Sequence, residues 1–239
     1  MKVLALIPAY NEAASLPAVV AELRAVDAAL HVLVVDDASD DDTPELLPTL
    51  GVAWLRLSQR LGIGGAMRAG LRYARARGFE RVVRLDGDGQ HEPADVPRLL
   101  APIAAGRADA VQGSRYAGAP GYRATGARRA GQHALALVLS AFTGQTVTDP
   151  TSGFWAFGPR AIRLLGDHHP AGYPEPELLL FLRRNGLRLE EVPIGMRERR
   201  AGRTSLTAGR AGVALARVLL TTVVAPLRPA VPLEGEAHE

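Results

Sequence analysis

A chain of 239 residues with 47% hydrophobic and 22% charged side chains is one globular domain or one and a half, with enough apolar material for a sizeable core. It has no cysteine, which excludes disulfides, thiolate metal sites and thiol catalysis and fits a reducing compartment. Net charge is only +3 but unevenly spread: carboxylates gather at Asp36–Asp42 and Asp86–Asp95, arginines at Arg115–Arg129 and Arg197–Arg210, and lysine is almost missing. Guanidinium clusters suit phosphates, which they bind bidentately, whereas the acidic motifs argue against a surface that tracks a nucleic-acid backbone.

The apolar run after Lys2 meets Pro8 too soon for a signal peptide and reads as a strand over 2–7, followed by Ala9-Tyr10-Asn11-Glu12. Ser15 caps a helix with Pro17 in its first turn, running to about Arg24. The second strand, 31–35, ends in Asp36-Asp37-Ala38-Ser39-Asp40. Asp42 or Thr43 caps the next helix, with Pro44 just inside. A third strand lies near 52–57. Arg60-Leu61-Gly62-Ile63-Gly64-Gly65 then opens a helix to about Arg77, which Gly78 stops. The fourth strand, 81–85, drives straight into Asp86-Gly87-Asp88-Gly89-Gln90. A helix near 95–105 and a strand over 108–112 follow.

Beyond residue 113 the pattern changes. Gly113–Gly126 reads as a mobile Gly- and Arg-rich loop, and Gly131–Phe142 as an apolar helix ended near Gly144. Asp149-Pro150-Thr151-Ser152-Gly153-Phe154 leads to a short strand at 155–157 and a helix over 159–165. Tyr173-Pro174-Glu175-Pro176-Glu177 opens a helix to about Asn185, stopped by Gly186, and a strand at 187–193 leads to Arg197-Glu198-Arg199-Arg200. A final helix spans about 207–225, before a Pro-rich tail. Its apolar run is shorter than the ~20 residues of a membrane span. It suits a helix lying on a membrane surface or one packed on the domain.

Strands alternating with helices of about a dozen residues predict an α/β fold with a mostly parallel sheet covered on both faces. Such sheets hold ligands beyond the carboxyl ends of their strands. Neither G-x-G-x-x-G after the first strand nor a Walker-type loop is present, which disfavours a dinucleotide dehydrogenase or a P-loop enzyme. Asp86 and Asp88 sit one residue apart after an apolar strand. Paired carboxylates repel unless a cation lies between them, and a hard divalent cation keeps bonds to substrate phosphates. The stretch therefore reads as a metal-diphosphate site. Asp40–Asp42 read as a solvated turn with a helix cap, and His91 as a group that supports the loop rather than a ligand.

Five motifs in order, PAYNE (8–12), VVDDASDDDT (34–43), DGDGQHEP (86–93), DPTSGF (149–154) and YPEPE (173–177), resemble family 2 glycosyltransferases. Within that family the chain looks like the dolichol- or polyprenyl-phosphate sugar transferases, over about residues 1–207. The resemblance implies a GT-A (Rossmann-like) fold, a nucleoside-diphosphate sugar donor, Mg²⁺ or Mn²⁺, and inversion at the anomeric carbon. It divides the chain into a catalytic domain (1–206), an amphipathic helix (207–226) and a flexible tail (227–239). Within the domain, 1–112 is the nucleotide-binding half and 113–206 the acceptor-binding half.

By the same resemblance, Pro8, Tyr10 and Glu12 match the nucleotide-contacting loop, and Val35 and Asp37 the base- and ribose-binding pair. Gly87, Asp88 and Gln90 match the diphosphate and metal site, with Asp86 as its first carboxylate, so the metal set is Asp86, Asp88 and Gln90. Arg115 matches a diphosphate- or acceptor-contacting arginine, and Arg128 and Arg129 the acceptor-phosphate position. Gln132 and His133 stand where the family often has Ser or Arg. Arg199, Gly202 and Ser205 match a later loop that closes over the site, with Arg115 and Arg199 adding positive charge to the departing diphosphate. A phosphate acceptor needs no general base, so Asp149, Glu175 and Glu177 position groups, Glu175 on the acceptor side. The implied acceptor is a polyprenyl phosphate, met at the cytoplasmic face of a membrane, with no nucleic acid and with a membrane-protein partner left open. GDP-mannose and UDP-glucose both remain compatible. Three alternatives stand beside this: a hydroxyl acceptor with Asp149 or Glu175 as base; a nucleotidyltransferase, whose Gly- and Lys-rich first loop PAYNE does not match; and a non-enzymatic binding module.

Overall fold

Side chains alternate along a strand, so the first apolar run sends Leu4 and Leu6 to one face of its sheet and Ala5 and Ile7 to the other. Both faces are apolar, and both must be covered. The computed structural model describes residues 2–118, 126–170 and 174–197, and it shows this arrangement. Seven strands, β1 (Val3–Ala9), β2 (His31–Asp36), β3 (Ala53–Arg56), β4 (Arg81–Arg84), β5 (Ala110–Ser114), β6 (Trp155–Phe157) and β7 (Leu189–Pro193), form one sheet in the order β3-β2-β1-β4-β6-β5-β7. The helices are α1 (Leu16–Val26), α2 (Thr43–Leu46), α3 (Gly62–Ala76), α4 (Val96–Ala104), α5 (Gly126–Thr143), α6 (Pro159–His168) and α7 (Pro174–Arg184). Leu4 and Leu6 pack with Met67 and Leu71 of α3, Leu164 and Leu165 of α6 and Leu178 of α7. Ala5 and Ile7 pack with Leu16, Val20 and Leu23 of α1 and Leu99 and Ile103 of α4.

The mostly parallel sheet expected from the alternating pattern is present: β1 pairs in parallel with β2 and β4, β2 with β3, and β5 with β7. The exception is β6, antiparallel to both β4 and β5, with Trp155 opposite Arg84 and Gln112. That reversal positions the site. It brings the segment before β6, Asp149–Phe154, to the same sheet edge at which β1, β2, β4 and β5 end.

Two local expectations shift. Gly113 and Ser114 belong to β5, held opposite Val192 and Pro193 of β7, rather than to a loop. Helix α5 begins at Gly126 instead of Gly131, which places positions 128 and 129 in its first turn. Ser15 does occupy the N-cap of α1, but its hydroxyl donates back to the Glu12 carbonyl and carboxylate rather than accepting a helix N–H. The expected final helix, the tail, Arg199, Gly202 and Ser205 lie outside the described residues. Among the described residues no helix is long and apolar enough to cross a membrane.

Helices α3 and α6 are joined by Arg72 and Arg75 on Asp167, at 3.1 and 2.6 Å. These pairs are exposed and worth at most about 1 kcal/mol each. The leucines and methionine beneath them, at about 1.5–3 kcal/mol apiece, do most of the joining. At the end of α6, His169 is buried, its Nδ1 lies 2.9 Å from the Pro170 carbonyl oxygen, and its Nε2 has no hydrogen-bond partner among the described residues. Burial pushes its pKa down from 6.5 to about 4, against the Pro170 bond. The unfolded chain takes up a proton near pH 6.5 and the folded chain only near 4. The stabilisation is therefore complete above 6.5 and lost as pH falls through that window. Urea unfolding between pH 6.5 and 4 is expected to show about 3 kcal/mol more loss for the wild type than for His169→Asn, whose amide can keep the Pro170 bond. Equal losses would show that His169 is not the group that titrates.

Candidate active site

The first two loops are wired to each other. Asn11 adopts a left-handed backbone (φ 58°). Its N–H donates to Ser39 Oγ at 2.9 Å, its side-chain amide donates to Asp40 Oδ1 at 2.5 Å, and its own Oδ1 accepts the Asp40 N–H at 3.0 Å. Glu12 N–H donates to Thr43 Oγ1 and Ala13 N–H to Asp41 Oδ2. The acidic run expected to be a solvated turn is thus in part the brace of the PAYNE loop. Asp41 illustrates it: partial burial works against its charge, but bonds from Thr43 and Ala13 outweigh that and hold its pKa below the ordinary value.

Pro8 and the buried Val35 face each other across β1 and β2. Asp37 follows directly, with Oδ1 accepting the Leu61 N–H at 2.7 Å and Oδ2 the Gly62 N–H at 2.8 Å. Those are orphan donors at the start of α3, so Asp37 is the remote cap of that helix. Tyr10 lies beneath the Arg60 guanidinium, 3.8 Å from its ring centroid, a cation–π contact that joins PAYNE to the loop before α3.

At the carboxyl end of β4, Asp86 is partly exposed and Asp88 buried. Asp88 Oδ1 accepts the Gln90 N–H at 3.0 Å, and Gly89 between them takes φ 74°, which favours glycine. Gln90 donates its side-chain N–H to the Arg197 carbonyl at 3.5 Å, leaving its amide oxygen as the group a cation would use. His91 accepts the Asp86 N–H at Nδ1 (3.1 Å) and stacks on Phe154, with centroids 4.7 Å apart. Burial pushes its pKa down despite Asp86 nearby, so the ring is neutral and supports the loop, as its sequence position suggested. Two carboxylates and an amide are hard oxygen donors. Among the described residues no cluster of three or more His, Asp or Glu stands ready to hold an ion alone. The donor set therefore fits Mg²⁺ or Mn²⁺ sharing its shell with a diphosphate.

Three further features meet this loop. Arg84, the buried last residue of β4, donates through Nη2 to Asp86 Oδ1 (3.2 Å) and to Glu175 Oε1 at the start of α7 (3.0 Å). Arg115, at the end of β5, is buried and bidentate on Asp149: Nε to Oδ2 and Nη2 to Oδ1, both 2.6 Å, with Nη2 also reaching Thr151 Oγ1 at 2.7 Å. Gln132 of α5 bridges Thr151 and the Tyr116 hydroxyl. The segment Ile194–Arg197 lies over the Asp86–His91 loop: Met196 forms a bridge with His91, and Arg197 donates its N–H to the Gln90 carbonyl at 2.9 Å. The Arg197 guanidinium is clamped by Glu92 and by Glu22, the latter at 2.6 Å. An apolar groove of about 340 Å³ runs along α5 beside Tyr116, His133, Leu137, Val147 and Thr148.

The structure thus brings Asp86, Gly87, Asp88, Gln90, Arg115 and Glu175 to one edge, with Pro8 and Val35 on the neighbouring strands and Tyr10, Glu12 and Asp37 in the loops that follow them. Arg128 and Arg129 lie at the start of α5, with side chains outside the described residues. Arg84 escaped the sequence reading because a charge at the end of a short strand looks like an imperfection. The available signal was its i, i+2 spacing to Asp86, which puts both on one face.

A family model described as glycosyl transferase family 2 matches residues 5–164. The undecaprenyl-phosphate mannosyltransferase of Micrococcus luteus is 35% identical over 229 residues, spanning 91% of this chain and 93% of its own. The polyprenol monophosphomannose synthase of Mycolicibacterium smegmatis is 31% identical over 227 residues, spanning 91% and 85%. The crystal structure of glucosyl-3-phosphoglycerate synthase from Mycobacterium tuberculosis, in complex with Mn²⁺, uridine diphosphate and glucosyl-3-phosphoglycerate, superposes with a TM-score of 0.70 at 25% identity. That superposition covers 98% of this chain and 82% of that one.

Proposed function

The chain belongs to glycosyl transferase family 2, and on that premise we propose that it moves a hexose from a nucleoside-diphosphate sugar to a polyprenyl phosphate with inversion at the anomeric carbon. The observation that carries the choice of acceptor is the state of the two candidate bases. Asp149 has both oxygens on Arg115, and Glu175 is held by Arg84. A hydroxyl acceptor needs a carboxylate free to take its proton, whereas a phosphate oxygen is already ionised at neutral pH. Both relatives carry a lipid phosphate or polyprenol in their names, which supports the same acceptor.

The chain's own residues then divide the work. Pro8, Tyr10, Glu12, Val35 and Asp37 shape the nucleotide end of the donor site in the 1–112 half. Asp86, Asp88 and the Gln90 amide would hold Mg²⁺ or Mn²⁺, which supplies positive charge to the departing diphosphate when bound. Arg115, fixed by Asp149, adds charge at the same edge, and Arg199 and Ser205 follow the clamped Arg197 in sequence. Arg128 and Arg129, in the first turn of α5, receive the acceptor phosphate. An attack in line with the diphosphate bond inverts the anomeric carbon. The lipid acceptor places the work at the cytoplasmic face of a membrane, with residues 207–226 as the surface-seeking segment.

The test incubates the protein with Mn²⁺ or Mg²⁺ and a panel of nucleotide sugars, with and without a short polyprenyl phosphate. Lipid-dependent release of nucleoside diphosphate is expected. Transfer to a soluble hydroxyl compound but not to the lipid would overturn the acceptor, and release of pyrophosphate would overturn the reaction. Arg129→Ala is expected to raise the KM for the lipid phosphate by about tenfold or more, the loss of one charge-assisted contact, while slow donor hydrolysis survives. An unchanged lipid KM would remove Arg129 from the acceptor site.

A further inference from the structure

Arg84 is the feature that the proposed reaction leaves unused. It closes β4, between Leu6 of β1 and Trp155 of β6, and its side chain is 3% exposed. A guanidinium so placed has lost its water, and it is tolerable only if carboxylates replace that water. Two do: Nη2 donates to Asp86 and to Glu175, while Nε and Nη1 have no hydrogen-bond partner among the described residues. Burial works against the charge, and Asp86 and Glu175 outweigh it, so the group stays ionised. Nor has it room to swing away. A Cβ at Gly153 would lie 2.8 Å from Nη2 and 3.0 Å from Asp86 Oδ2, so the DPTSGF segment closes on the pair.

We propose that Arg84 is a positioning residue that gives the Asp86–Asp88 loop a fixed counter-charge, setting how tightly the loop takes a divalent cation before any donor arrives. The inference rests on the metal site of the proposed function and adds to it. Asp86, Asp88 and Glu175 bring three negative charges to this edge. Arg84 offsets part of that charge through its bonds to Asp86 and Glu175. It also holds one Asp86 oxygen in a set direction and ties the loop to α7 through Glu175. A bare pair of carboxylates would take a cation more tightly but hold it less well placed. The tempered site favours cation that arrives with, or stays for, a diphosphate.

The measurement is free Mn²⁺ by electron paramagnetic resonance during titration of the full chain, with no donor present. Arg84→Gln removes the opposing charge and is expected to bind Mn²⁺ on the order of tenfold more tightly, while turnover with donor falls. A merely structural arginine would loosen binding when lost, so unchanged or weaker binding by folded Arg84→Gln overturns the proposal. Glu175→Gln provides the opposite sign: with its second carboxylate gone, Arg84 bears on Asp86 alone and Mn²⁺ binding weakens several-fold. This variant decides the matter if Arg84→Gln does not fold, and unchanged or tighter binding by it overturns the proposal. Asp88→Asn is the control for the underlying reading. Full Mn²⁺ binding by that variant would show that the metal site itself is misplaced, a failure distinct from that of Arg84.

Discussion

Asp88→Ala is expected to lower turnover by about a thousandfold, the equivalent of about 4 kcal/mol of transition-state stabilisation. Asp88 is one of two carboxylates at the end of β4, buried where its partner is partly exposed, and the cation it would help to hold offsets charge developing on a departing diphosphate. The variant also loses the bond from Gln90 N–H, so a loose loop could mimic a lost ligand. Asp88→Asn separates the two, because its amide oxygen can still accept that N–H. It should match the alanine variant in turnover yet unfold within about 1 kcal/mol of the wild type, since one neutral hydrogen bond is worth no more. Steady-state kinetics at saturating Mn²⁺, beside urea unfolding, make the comparison. Wild-type turnover by either variant would remove the loop from the chemistry.

Asp149→Ala is expected to act first on the fold. Its carboxylate and the Arg115 guanidinium are 0% and 4% exposed and meet through two bonds of 2.6 Å. Removing one member strips a buried guanidinium of its bidentate carboxylate, at a cost of about 3–5 kcal/mol. Urea unfolding measures it directly. The result also tells the two acceptor chemistries apart. If Asp149 were a catalytic base for a hydroxyl, the substitution would abolish transfer at nearly unchanged stability. If it is the counterion of Arg115, stability falls and residual transfer tracks the folded fraction. A stability change below about 1 kcal/mol would show that the pair is not the buried, desolvated one described, since exposed pairs fall in that range.

What could be read in the sequence was what depends on neighbours along the chain. The apolar runs of β1, β2 and β4 announce buried strands, and a doubled carboxylate after the last of them marks a ligand edge because a parallel sheet puts ligands there. Partnerships across the fold were not readable. Nothing near Asp37 shows that its carboxylate caps α3 24 residues later. Asp40 and Asp41 look like a solvated turn until Asn11 and Ala13 are seen to depend on them. Asp149 and Glu175 have the spacing and chemistry of bases, and only the positions of Arg115 and Arg84 give them other work. The early start of α5 was missed because Arg128 and Arg129 interrupt no pattern: arginine is a good helix former, but a Gly-rich approach reads as loop.

The reversed β6 also has a consequence for how the chain is made. β4 ends at residue 84, and the strand that seals its far side begins at residue 155. At the usual pace of synthesis, about 5–20 residues per second, the gap lasts roughly 4–14 s. During that interval β1–β4 have all their mutual partners, while β4 presents a raw edge of the kind that recruits stray strands. Shortness and charge guard that edge, for β4 is four residues long and carries an arginine at each end, Arg81 and Arg84. The same guanidinium that later tempers the carboxylates would first serve the nascent chain as a gatekeeper against aggregation.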